Sequence, residues 1–169
     1  MKRWFTLSSA ALALFAALIV AQNGRAQGGG AEVAGAIIGT WNVHIVPPAA
    51  SGVPAYDSLS THAAGGVLIV SPDPSFGPSL HTSTGHGAWK QIGPSRNFAT
   101  THGGFVYDPG GSVVFTFKIN SSIVVDGDTF QGQGQLVICD ANFDGCSPAS
   151  PGLAQLTGRR LGVTKISTE

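Results

Sequence analysis

Between residues 113 and 126 the chain alternates: Val113, Phe115, Phe117, Ile119, Ile123 and Val125 share one parity, and Thr116, Lys118, Asn120, Ser122 and Asp126 share the other. Side chains along a strand point to opposite faces in turn, so the pattern predicts one long, half-buried strand. Helical periodicity is nearly absent after the first 26 residues, and 24 glycines and 10 prolines interrupt the chain too often for long helices.

Further strands follow from similar runs bounded by turn residues. Residues 38–46 read as a first strand, stopped by Pro47-Pro48. Residues 59–62 and 67–70 flank Ala63-Ala64-Gly65-Gly66 as a hairpin, and 85–92 and 97–107 flank Gly93-Pro94-Ser95-Arg96. Asp108-Pro109-Gly110-Gly111 leads into the long strand, and Asp126-Gly127-Asp128 turns it into 129–139; the last strand is expected over 153–165. Eight strands in sequential order predict an all-β, antiparallel up-and-down barrel. In 129–139, Phe130, Gly132, Gly134, Leu136 and Ile138 share a face opposite Gln131, Gln133 and Gln135. Inward glycines opposite a phenylalanine-rich strand allow either sharp curvature or interior space.

The N-terminal pattern is different. Lys2 and Arg3 precede an apolar run from Leu7 to Ala21, and Gly24 and Ala26 have the spacing of a cleavage site. Residues 1–26 are therefore expected to be a signal peptide, residues 27–36 a Gly/Ala-rich lead-in, and residues 37–169 a single barrel domain. This places the chain in the periplasm or outside the cell, with no membrane span left after cleavage; the apolar run is shorter than a spanning helix needs. Cleavage leaves six basic residues against nine acidic ones. That mildly acidic balance has no basic stripe and excludes a nucleic-acid partner. Cys139 and Cys146 are close in sequence, and in an oxidising compartment they are expected to form a disulfide.

Two short motifs carry a resemblance. Gly39-Thr40-Trp41 opens the first strand, and Gly158-Arg159-Arg160 lies in the last. A G-x-W on the first strand with a basic residue on the last resembles the calycin superfamily, which includes lipocalins, fatty-acid-binding proteins and avidins. The resemblance implies that Trp41 closes one barrel end and that Arg159 or Arg160 packs across its indole. The chain is also similar to a group of secreted bacterial proteins with a G-T-W start, a T-H-x-x-G-G hairpin and a G-H-G-x-W strand, here residues 39–41, 61–66 and 85–89. The second lipocalin motif, T-D-Y, has no counterpart, and the Pro/Gly/Ser-rich connection 72–83 is expected to be a lid or external loop.

The candidate chemistry centres on histidines. None of the five forms a metal-binding pair on one element, so no metal or other cofactor is expected. His62, His86 and His102 each stand beside small residues that would let an imidazole face a cavity. No G-x-S-x-G elbow or paired carboxylates are present. Asp140, Asn142, Asp144 and Gly145 match the front half of a calcium loop, but its closing acidic position falls on Pro151.

The leading reading is a secreted barrel that binds a small, partly apolar molecule among Phe115, Phe117, Phe130, His62, His86 and His102. A second is an isomerase or cyclase on the same barrel, with those histidines as catalytic acid or base. A third is a structural or interaction domain whose barrel is filled by its own side chains. Ligand identity, oligomeric state and the choice between enzyme and binder do not follow from the residues.

Overall fold

A computed structural model of the chain describes residues 35–72 and 79–162. The expected signal peptide, most of the lead-in, the centre of the 72–83 connection and residues 163–165 of the expected last strand lie outside the described residues; the strand itself ends at Arg160, before the 165 expected.

Among the described residues ten strands form one antiparallel sheet: β1 (Gly39–Val46), β2 (Tyr56–Ala63), β3 (Val67–Val70), β4 (His81–Thr82), β5 (Gly85–Gln91), β6 (Asn97–Tyr107), β7 (Val113–Asp126), β8 (Thr129–Cys139), β9 (Ser147–Pro148) and β10 (Ala154–Arg160). Eight of them close a barrel in the order β1, β2, β3, β5, β6, β7, β8, β10, with β10 returning to β1. The two-residue strands β4 and β9 extend the ladders of β6 and β8. These two are too short to show a period of two, and the sequence pattern misses them. The fold is otherwise the expected all-β, up-and-down barrel.

The two ends of the barrel are built differently. At one end, brief connections join β2 to β3 through the 3-10 turn Ala64–Gly66, β5 to β6 and β7 to β8. At the other, longer connections lead from β1 to β2, β3 to β5 and β8 to β10. The short-turn end is packed with Ile37, Trp41, Phe98, Val125 and Phe130, all less than 5% exposed.

Trp41 is the centre of that plug. Its indole Nε1 donates to Ile37 O at 2.9 Å, and its ring lies 5.2 Å from that of Phe130. Gly158 makes the packing possible, because a Cβ at that position would collide with the Phe130 ring. Arg160 lies over the indole, its Cζ 4.2 Å from the ring centroid. The guanidinium also donates to Ile38 O, to Ala36 O at 2.6 Å and to Asp128 Oδ1 at 3.0 Å. Of the two candidates on the last strand, Arg160 thus makes this contact. Arg159 has the opposite parity and is exposed.

Cys139 and Cys146 form the expected disulfide at the far end of β8, with Cα atoms 4.1 Å apart. The loop it closes is organised by Asp140, whose Oδ1 accepts from the backbone N–H groups of Asn142 and Asp144 at 2.9 Å each. The carboxylate thus serves as an internal loop cap. Among the described residues no group of three or more His, Cys, Asp or Glu is placed to hold a metal.

Candidate functional site

Beyond the Trp41 plug the interior is not filled. A cavity of about 410 Å³ runs toward the long-loop end. This lies within the roughly 300–1,000 Å³ of small-molecule sites.

The alternation of each strand decides what faces this space. β1 contributes Val43 and Ile45; β7 and β8 contribute Phe117, Ile119, Ile123, Phe130, Leu136 and Ile138; β10 contributes Leu156. Apart from Ser121 of β7, this wall is apolar. Strand β2 reverses the usual arrangement, turning Ser58, Ser60 and His62 inward while Leu59 is 48% exposed. Strand β6 adds Thr100 and His102 to the interior. One side of the cavity is thus hydrocarbon and the other a band of hydroxyls and imidazoles. Ser58 and Ser71 join hydroxyls at 3.0 Å within that band.

The two histidines occupy one rung of the barrel. His62 pairs with Leu68, Leu68 with Gly87, and Gly87 with His102. His62 also pairs with Gly39 at the start of β1, which sets it at the plugged end of the cavity. Gly85 clears room for its neighbour's ring: a Cβ there would stand 2.9 Å from His102 Cδ2. The His102 ring meets Phe117 edge-on at 6.4 Å.

His62 is 3% exposed, and its Nδ1 is buried without a hydrogen-bond partner. Burial, reinforced by His102 and then Arg160, lowers its pKa from 6.5 to about 4. The imidazole is therefore neutral at pH 7, when one ring nitrogen donates and the other accepts. An unsatisfied buried polar atom costs on the order of 1–3 kcal/mol. Among the described residues, those lining the cavity include no Lys, Arg, Asp or Glu.

The expected ligand-facing residues divide. His62, His102, Phe117 and Phe130 line the cavity. His86 does not: it shares parity with exposed Ala88 and Lys90, whereas Gly85, Gly87 and Trp89 point inward. The glycines beside it accommodate His102 and the adjacent backbone instead of opening space for His86. Phe115 is half-buried but off the cavity wall, at the end of β7 where the ladder to β6 is irregular between Val106 and Tyr107. Sequence reasoning overlooked Ser58, Ser60, Thr100 and Ser121. The signal that could have found the first two was the inversion in β2, where an apolar residue alternates with serines on the wrong side for a filled core.

Trp89 belongs to the architecture. Its Nε1 donates to Ala63 O at 3.0 Å, and its ring meets Phe98 edge-on at 5.8 Å. His44 pairs with Asp57 at 3.0 Å on the outer surface, and His81 is exposed in β4. No helix among the described residues is long and apolar enough to cross a membrane. Comparison with protein-family models, with curated proteins and with solved structures finds no match.

Proposed function

We propose that this is a secreted, non-enzymatic binding protein of calycin-like architecture that holds one small, mostly apolar molecule inside its barrel. The observation that carries the reading is the cavity of about 410 Å³ with one mainly apolar side and a band of uncharged polar groups opposite it. A barrel serving only as a structural domain gains stability by filling such a space, because interior voids forfeit dispersion contacts. Export is supported by the N-terminal pattern and is compatible with the Cys139–Cys146 disulfide.

Native mass spectrometry of the exported protein, followed by extraction under denaturing conditions, tests the reading. A single species released in proportion to the chain supports it. Failure to retain an occupant or to take up any neutral apolar probe overturns it.

A catalytic reading, in which a substrate folds in the cavity beside His62 and His102, draws on the placement of those two rings on one rung. The lowered pKa of His62 favours the binding reading: an imidazole that holds a proton only below about pH 4 is a weak base at neutral pH.

A further inference from the structure

The chemical class of the occupant follows from what the cavity wall lacks as well as from what it contains; this step rests on the binding reading above. Among the described residues, none that lines the cavity carries a fixed charge. Arg160, the nearest candidate counter-ion, is engaged by the Trp41 ring, Asp128 and the carbonyls of Ile38 and Ala36. A carboxylate, phosphate or ammonium entering the barrel would therefore lose its water without gaining a counter-charge on the wall, and burying an unpaired ion is strongly unfavourable. A wholly apolar occupant fits poorly too, because it would lie against the hydroxyls of Ser60 and Thr100 and the His62 imidazole while offering them no hydrogen bond.

We propose that the barrel selects an uncharged amphiphile, a molecule with an apolar body and one hydroxyl or carbonyl group, and binds it head-inward. The head group seats at the rung of His62 and His102, near the Trp41 plug. The body lies along Ile45, Phe117 and Ile138 toward the long-loop end. A neutral imidazole can either donate to a carbonyl or accept from a hydroxyl, so it suits both heads. Because His62 stays neutral through the physiological range, recognition of such a head needs no proton uptake.

Isothermal titration of the mature protein with 1-decanol and with decanoate at pH 8 and pH 6 tests this directly, the two probes differing in head-group charge on a similar chain. Decanol should bind about 100-fold more tightly than decanoate at pH 8, with affinity unchanged at pH 6 and no dependence of the heat on buffer ionisation. His62→Leu should lower decanol affinity about tenfold; His62→Asn, which retains polar character, supplies the second variant if the leucine form does not fold. Equal or tighter decanoate binding, or proton uptake with decanol, overturns the head-group assignment while leaving a binding barrel in place. Failure of both probes, and of neutral apolar dyes, overturns the binding reading itself.

Discussion

The two ends of this barrel use the same strands for opposite purposes. At the short-turn end, inward positions hold Trp41, Phe98, Val125 and Phe130, each nearly fully buried, with Arg160 across the indole. Toward the long-loop end, inward positions of the same strands hold Val43, Ser58, Thr100, Ile119 and Leu136 around open space. The difference comes from side-chain size and loop length: Trp41 and Phe130 meet from either side of β10 at one end, while aliphatic chains and hydroxyls leave the other unfilled. The plug contributes stability, and the wall is free to be shaped for an occupant.

Substitutions at the two ends should therefore have unequal consequences. Trp41→Ala removes the centre of the plug and should cost about 3–5 kcal/mol in denaturant unfolding, the range for deleting a buried aromatic. A loss below about 1 kcal/mol would mean that the plug is not the stabilising region. Replacing Cys139 and Cys146 together by serine opens a short loop at the other end and should cost about 2 kcal/mol, read as a lower unfolding midpoint.

The rung that carries His62 and His102 should reveal itself through pH. The unfolded chain protonates His62 near pH 6.5, while the folded chain resists protonation until about pH 4, with His102 and Arg160 opposing the added charge. The stability present above pH 6.5 should then fall as the pH drops, by about 2 kcal/mol at pH 5. His62→Leu should flatten this part of the profile, and an unchanged slope would show that other groups cause it. Ile119→Ala on the apolar wall should have the smallest effect, about 1 kcal/mol, since Ile119 already borders unfilled space. A loss as large as that of Trp41→Ala would erase the distinction between the ends.

Much of the architecture was legible because the strands are long and their alternation is strict. The parity of Phe117, Ile119, Ile123 and Val125 locates the inner face of β7 from sequence, and the same rule, applied to Leu156 and Gly158, selects Arg160 over Arg159. The site was harder to read. His86 was expected inside because glycines flank it, but a strand's glycines can make room for a neighbouring strand's side chain, as Gly85 does for His102. The hydroxyls of the polar half escaped notice, those of β2 because that strand turns serines inward and Leu59 outward, opposite to the rule for a filled core. Thr116 breaks alternation in another way: it is fully buried on the polar parity of β7, with its hydroxyl donating to Asp140 O at 2.6 Å beside the disulfide loop.

The central claim is that the space beyond the Trp41 plug takes up a molecule. Titration with the neutral dye N-phenyl-1-naphthylamine, comparing the wild-type chain with Ile119→Trp, tests it most directly. Saturable binding of one dye per chain, lost in an Ile119→Trp protein whose unfolding midpoint is preserved, is the expected result. Absence of saturable binding to the wild type, or binding untouched when the cavity is filled, would contradict it.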